Sequence, residues 1–163
     1  MSRVIATFFG VGLLRPAPGT WGSAAALPVA YLIHLLGGFP ALVIATLLVF
    51  FIGWWATANA TRGKEDHDPS EIVIDEVAGQ WIALLPVSFG AVHAGGDMLA
   101  LYPGIITAFL AFRLFDIWKP GPVGWADRKS TALGVMLDDI IAGVLAALVV
   151  TLAAGLTHGV LGL

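Results

Sequence analysis

The sequence predicts an all-α integral membrane protein: a helical bundle of about five transmembrane helices, preceded by an interfacial or re-entrant N-terminal segment. Hydrophobic residues make up 58% of the 163 positions, and the mean hydropathy is +0.90. Charged residues make up 12%, which is about half of the usual share in a soluble domain. A soluble chain of this length could not bury so much apolar surface, so lipid is the expected solvent.

Five segments are apolar and close to the length that crosses a bilayer, which is roughly 20 residues. They cover about Trp21–Leu36, Ala41–Ala60, Ile72–Phe89, Leu99–Trp118 and Leu133–Leu156. Stretches rich in Gly, Pro or polar residues separate them. The sequence shows no internal repeat and no second, soluble region, so we expect residues 1–163 to form a single membrane-embedded domain.

The N-terminal stretch Met1–Leu14 has one Arg before an apolar run, which weakly resembles a signal peptide. No small-residue cleavage site follows, so we interpret it as part of the mature protein. Its apolar part, Val4–Leu14, is about half as long as a span. This length favours a segment that lies at the interface or dips into the membrane.

The basic residues predict the orientation. With five spans and the N-terminus inside, all eight lie on one side of the membrane or at its boundary, which should be the cytoplasmic side. The eight are Arg3, Arg15, Arg62, Lys64, Arg113, Lys119, Arg128 and Lys129. Of the eleven acids, only Asp97 falls in a loop assigned to the far side. The net charge of −3 gives no reason to expect a nucleic-acid partner, and the absence of cysteine excludes disulfides, thiol catalysis and thiolate metal sites.

Two acid doublets, Asp75–Glu76 and Asp138–Asp139, interrupt apolar segments. A carboxylate at the bilayer centre costs roughly 2.5–3.5 kcal/mol, but both doublets should lie within roughly 10 Å of the cytoplasmic helix ends. Together with Asp116 they could enclose one or two divalent cations, and Mg²⁺ prefers carboxylate and water oxygens. The alternative is that they form ion pairs with Arg113 and Lys119 that only hold helices together. Two doublets beside a basic helix face favour the metal.

Basic residues that suit a phosphate group follow the fourth segment. Arg113, Asp116 and Lys119 are spaced by three and should share one helix face, which ends before two prolines. An Arg fork and a Lys point charge together suit phosphate. Arg128 and Lys129 come next in the loop. For Lys119, Arg128 and Lys129 the alternative is a role as positively charged membrane anchors, which we favour for Lys129.

The polar stretch before the third segment predicts a helix start. Asp68 can be an N-cap, Pro69 the first helical residue, and Glu71 the partner in a capping box. His67 could cap, pair with an acid or assist proton transfer.

A second Gly- and Pro-rich stretch, residues 10 to 23, precedes the first span. There, Thr20 or Ser23 can cap the helix, and the alternative for this stretch is a part in substrate binding.

Taken together, these residues resemble the phosphatidylglycerophosphatase A family. The resemblance rests on four motifs in the family's order, at Pro18–Ser23, His67–Glu76, Phe112–Pro122 and Met136–Gly143. It therefore spans nearly the whole chain. The chain departs from the family at Thr131–Gly134, where many members carry Gly-Gly-x-Gly.

The resemblance implies a Mg²⁺-dependent phosphatase of the bacterial inner membrane with its active site on the cytoplasmic face. Such enzymes convert phosphatidylglycerophosphate to phosphatidylglycerol, the last step of phosphatidylglycerol synthesis, and the lipid's acyl chains can stay in the bilayer. On this hypothesis the metal ligands are Asp75, Glu76, Asp138 and Asp139. The candidate catalytic residues are Asp116, Arg113, Lys119, His67 and Asp68. The candidate phosphate-binding residues are Arg113, Lys119, Arg128 and Thr20.

Several alternatives stay open at this point. Asp116 could be a further metal ligand, a general base or a nucleophile. An ion-coupled carrier would also place acids in the membrane, although here the ionisable groups gather at one face. A CDP-alcohol phosphotransferase spreads four acids through one helix-loop-helix stretch, whereas the acids here are adjacent and in separate helices. A structural subunit would have little use for so many clustered charges.

Overall fold

The computed structural model of the chain describes residues 1–63 and 69–160. Its helices in chain order are α1 (Ser2–Ala6), α2 (Pro18–Ala60), α3 (Ile74–Ala94), α4 (Tyr102–Trp118), α5 (Pro122–Asp127) and α6 (Ala132–Val160), with short 3-10 helices at Val11–Leu13 and Met98–Leu101. The described residues contain no strand, so the prediction of an all-α fold is confirmed.

Within the described residues, four helical stretches are long and apolar enough to cross a membrane: α2, α3, Met98–Trp118 and Ala132–Thr157. The first of them, α2, has 43 residues, about twice what a bilayer core requires. Its backbone leaves helical values at Gly37 and Gly38. Gly38 has a φ of +63°, which glycine adopts without the steric cost that a side chain would add.

Contacts on either side of this break show that the two arms of α2 fold back on each other. Gly22, before the break, lies against Val73, and Gly53, after it, lies against Ile74. Because Val73 and Ile74 are neighbours in the chain, the arms run in opposite directions. Thus α2 supplies two of the predicted spans, and the prediction of about five spans is confirmed. The turn between these two spans lies at Gly37 and Gly38, where the sequence predicted a turn.

The innermost helix is α3. Of its most apolar stretch, 56% of the residues are buried, against 11% in α2, 17% in Met98–Trp118 and 22% in α6. It crosses α6 at two glycines: a Cβ on Gly143 would lie 2.4 Å from the carbonyl oxygen of Gly79. Both glycines lie about one turn beyond an acid doublet. The close crossing therefore brings the start of α3 and the acids of α6 together.

The predicted capping of α3 was wrong for Pro69 and Glu71. The helix begins only at Ile74, and Val73 before it makes no side-chain cap bond. The reason is tertiary: the Val73 N–H donates to the Ala6 carbonyl at 2.9 Å, and Glu71 pairs with Arg3 at 3.2 Å. The N-terminal segment thus holds the residues before α3 out of the helix. The predicted cap Asp68, like His67, lies outside the described residues.

The predicted caps of the first span were also wrong. Since α2 begins at Pro18 after Ala17, Thr20 and Ser23 lie inside its first two turns. The Ser23 hydroxyl donates to the Gly19 carbonyl at 2.9 Å instead of capping.

The N-terminal segment does not form a helix of spanning length, which agrees with the expectation for Val4–Leu14. It consists of the short α1 and one 3-10 turn. Ala6 and Thr7 are buried, whereas Phe9 is 79% exposed. The segment packs against the start of α2 and the residues before α3, at the end of the bundle that carries the acid doublets.

Candidate active site

Three carboxylates meet where α3 begins and α6 passes it. Asp75 and Glu76 lie in the first turn of α3, where the helix dipole favours negative charge, and Asp139 comes from α6. One oxygen from each of the three lies within 4.8 Å of the others. Asp75 and Asp139 are only 5% and 3% exposed. We call Asp75, Glu76 and Asp139 the acid trio.

The trio contains buried oxygens without partners. Glu76 Oε2 and Asp139 Oδ1 have no hydrogen-bond partner among the described residues. Asp116 of α4 adds a fourth carboxyl, which lies close enough to Asp139 for a direct interaction. Buried carboxylates that face one another require a cation or shared protons. The donor set, all carboxylate oxygen, fits a hard divalent cation such as Mg²⁺.

Arg113 of α4 lies beside the trio. Its Nη1 is 2.6 Å from Asp116 Oδ2 and 4.0 Å from Glu76 Oε1, and it donates to Ser23 Oγ at 3.3 Å. Its Nε is buried without a partner among the described residues. Because a guanidinium has five donors in a planar fork, Arg113 retains N–H groups that can bind an oxyanion.

The first turn of α2 forms one wall of the site. A Cβ on Gly19 would lie 2.1 Å from Glu76 Oε1 and 3.2 Å from Arg113 Nη1. Gly19 and Ser23 were not named among the candidate site residues, although the substrate-binding alternative for residues 10 to 23 included both positions. Thr20 lies half-buried in the same turn, and its side chain makes no hydrogen bond to a described residue.

Lys119 follows the last residue of α4 and turns back with a left-handed φ of +49°. Its Nζ donates to Asp138 Oδ2 at 2.9 Å and also to Asp127 Oδ1 of α5. Partial burial lowers the pKa of Lys119, but hydrogen bonds to these two carboxylates outweigh it and raise the pKa above its ordinary value. The ammonium group therefore stays charged.

This arrangement differs from the predicted set of four metal ligands. Asp138 lies in the ion pair with Lys119 and outside the trio. Asp127 was not among the sequence candidates; the signal for it was an acid shortly after the Pro-x-Pro that ends α4. Arg128 is exposed and makes no ion pair with a described acid, while Lys129 Nζ lies 3.9 Å from the centre of the Trp125 ring.

The fold and this site define a class: a polytopic helical membrane protein with buried carboxylates, an arginine and a lysine gathered at one end of the bundle. The sequence profile of the family described as phosphatidylglycerophosphatase A matches residues 4–154. The chain belongs to the phosphatidylglycerophosphatase A family and is thus an enzyme of a phosphatase family.

Individual relatives agree. A phosphatidylglycerophosphatase A of Haemophilus influenzae is 35% identical, with 91% of this chain and 85% of the relative covered. One of Escherichia coli is 34% identical over 89% of this chain and 78% of the relative. A Bacteroides thetaiotaomicron protein named putative phosphatidylinositol-3-phosphatase is 37% identical over 92% of this chain and 91% of the relative. No solved structure matches the chain significantly.

Proposed function

We propose that the protein hydrolyses the terminal phosphate monoester of phosphatidylglycerophosphate to give phosphatidylglycerol and inorganic phosphate, the last step of phosphatidylglycerol synthesis, and that it requires Mg²⁺. One observation carries the proposal: a buried acid trio, with two oxygens that have no partner among the described residues, lies beside an arginine that retains N–H donors. Family membership supports the reaction class. It also favours the phosphatase over the carrier and the CDP-alcohol phosphotransferase.

The acid trio would hold the Mg²⁺. When bound there, the ion supplies Lewis-acid polarisation of the phosphoryl group and offsets the charge of the acids. The residues around the trio would then bind and orient the substrate. Arg113, braced by its 2.6 Å contact with Asp116, donates from its remaining N–H groups to the phosphoryl oxygens, where charge grows in the transition state.

The chemical step is the attack of water on phosphorus. Asp116 accepts the proton of the water, the new P–O bond forms, and the bond to the glycerol oxygen breaks. That oxygen leaves with a proton from solvent. A radiolabelled phosphoenzyme on Asp116 would show instead that this carboxylate is the nucleophile.

The site would face the cytoplasm. Arg3 and Arg113 contact acids at the end of the bundle where α3 begins, and Lys119 contacts acids there too. An excess of basic residues marks the cytoplasmic side of bacterial membrane proteins. We therefore propose the inner membrane as the location, with the lipid's acyl chains in the bilayer and its headgroup in the site.

A second candidate substrate has a different headgroup. The relative named putative phosphatidylinositol-3-phosphatase covers nearly the whole chain, so a phosphorylated inositol lipid is the competing substrate. The same carboxylates and basic residues would serve both, since both are phosphate monoesters on a lipid headgroup.

The test is phosphate release by the purified protein in detergent. Phosphatidylglycerophosphate and phosphatidylinositol 3-phosphate would be compared at equal mole fraction, with Mg²⁺ and with EDTA. The Glu76→Gln variant removes one ligand charge from the trio and serves as the negative control. We expect release from phosphatidylglycerophosphate that EDTA abolishes. Faster phosphate release from the inositol lipid would show that this lipid, and not phosphatidylglycerophosphate, is the preferred substrate. Release that EDTA does not affect would contradict the proposed Mg²⁺ requirement.

A further inference from the structure

The acid doublet of α6 is divided between two groups of side chains. Asp139 joins Asp75 and Glu76 in the trio, with one oxygen of each within 4.8 Å of the others. Asp138 accepts a hydrogen bond from Lys119 Nζ at 2.9 Å. Successive residues on an α-helix project about 100° apart. Neighbours in the sequence therefore face different partners here.

Both oxygens of Asp138 already have donors. Oδ2 accepts from Lys119, and Oδ1 accepts from the backbone N–H of Asp139 at 3.0 Å. A cation that bound Asp138 would have to share an oxygen that already accepts a hydrogen bond. The trio, by contrast, presents two buried oxygens without partners in the described part of the chain. The contacts thus separate a lysine-binding acid from the cation-binding acids.

Lys119 is held from more than one side. Asp127 of α5 is its second carboxylate partner. Its backbone has a positive φ, which is uncommon for a residue with a long side chain. Its carbonyl oxygen packs on α5 so closely that a Cβ on Gly124 would lie 2.7 Å from it. Backbone and side chain together therefore fix the direction of the ammonium group.

Among the described residues, the partners of Lys119 leave one of its donors for a ligand. An ammonium group has three N–H donors and no acceptor, and Asp127 and Asp138 use two of them. The side chain is 31% exposed, so a headgroup can reach it. A charged donor fixed in this way loses less conformational entropy on binding an anion than a free surface lysine would.

We propose that Asp138 and Asp127 are positioning residues that hold the Lys119 ammonium for the substrate's phosphoryl group, and that Asp138 does not bind the metal. This inference rests on the proposed phosphate-monoester chemistry of the site. It divides the doublet into one metal ligand, Asp139, and one residue that acts through Lys119.

The experiment measures metal and phosphate binding separately on the purified full-length protein in detergent. Mn²⁺ binding, followed by electron paramagnetic resonance, reports on the trio. Inorganic phosphate binding at saturating Mg²⁺, followed by calorimetry, reports on Lys119. The matched variants are Asp138→Asn and Asp139→Asn, which make the same change at neighbouring positions.

We expect Asp139→Asn to weaken Mn²⁺ binding by at least about tenfold. Asp138→Asn should leave Mn²⁺ affinity close to that of the unaltered protein and weaken phosphate binding about tenfold, as expected for a disturbed charge-assisted hydrogen bond. In a Lys119→Met background, Asp138→Asn should have no further effect on phosphate binding, because it acts through that lysine.

Asp127 provides a second test at a more exposed position, where a substitution is less disruptive to folding. Asp127→Asn should weaken phosphate binding and spare Mn²⁺ binding, and Asp127→Glu should restore part of the loss. The inference is overturned if Asp138→Asn loses Mn²⁺ as Asp139→Asn does, or if phosphate affinity is unchanged in both Asp138→Asn and Asp127→Asn.

Neither binding measurement needs turnover. A protein that shows this binding pattern but hydrolyses no phosphatidylglycerophosphate would therefore contradict the proposed substrate alone.

Discussion

Polar side chains are paired differently at the two ends of the bundle. The site end carries the acid trio, and the far end carries Asp97. Toward the far end, His34 Nδ1 and Ser88 Oγ lie 2.7 Å apart between α2 and α3, and the Tyr31 hydroxyl donates to Asp97 at 3.3 Å. At the site end, Glu76, Arg113 and Asp139 each bury a polar atom without a partner among the described residues. In a low-dielectric interior such atoms are costly, so their concentration at one end indicates a place for a ligand.

Charge follows the same division. The far end carries Asp97, near a cleft of about 270 Å³ lined by Leu27, Pro28, Tyr31, Leu84, Met98, Leu99 and Ile105. The site end combines at least five carboxylates with Arg113 and Lys119. Polar pairs at the far end join neighbouring elements, whereas the site end keeps charges that joining helices does not require.

The largest expected effect contrasts an acid at each end. Asp75→Asn should lower kcat/KM by about 10²–10³-fold, since it removes charge that binds the metal. Asp97→Asn makes the same change at the far end and should leave kcat/KM nearly unaltered. Phosphate release in detergent measures both. Equal losses of kcat/KM in the two variants would show that the far end matters for activity as much as the site end does.

The next effect concerns the shape of the guanidinium. Arg113→Lys keeps the positive charge but removes the fork that reaches Asp116 and Ser23 together. We expect kcat/KM to fall by about 10–100-fold, the equivalent of one or two charge-assisted hydrogen bonds. The exposed Arg62→Lys is the matched control. An Arg113→Lys variant as active as the unaltered protein would show that the charge alone suffices.

A smaller effect should follow from filling the wall of the site. Gly19→Ala adds a methyl group 2.1 Å from Glu76 Oε1, so the carboxylate must move. We expect activity to fall about tenfold and the Mg²⁺ concentration for half-maximal activity to rise, because misplacement by an ångström is costly in a site of this kind. Gly96→Ala is the control, since no atom lies within 4 Å of its added Cβ. Full activity in Gly19→Ala would mean that Glu76 has no fixed role.

The smallest effect on catalysis is expected at the far-end polar pair. His34→Ala leaves the fully buried Ser88 hydroxyl without its partner, and should cost about 0.5–2 kcal/mol of stability. The double variant His34→Ala/Ser88→Ala should be less destabilised than the sum of the single changes. Thermal unfolding in detergent gives these values, and turnover should stay unchanged. A large loss of turnover would extend the functional region to the far end.

Features that depend on a short window of the chain agree with the sequence-based predictions. The break in α2 fell at the predicted glycines, and the Arg113–Asp116 pair formed with the predicted helical spacing. The start of α3 does not agree with its prediction. Pro69 and Glu71 have the local pattern of a helix start. However, the Val73 N–H donates to a carbonyl of α1, and the Glu71 carboxylate pairs with an arginine of α1. Contacts between distant residues outweighed a local preference there.

The sequence by itself predicted the membrane class, the approximate number of spans and the gathering of charge at one end, because hydropathy and basic-residue bias can be measured along the chain. Only the tertiary structure decided which charges meet. The glycine crossing of α3 and α6 brings Asp139 to Asp75 and Glu76. The turn after α4 brings Lys119 and Asp127 to Asp138. Adjacent acids on a helix face different directions, so their partners depend on which helices pack beside them.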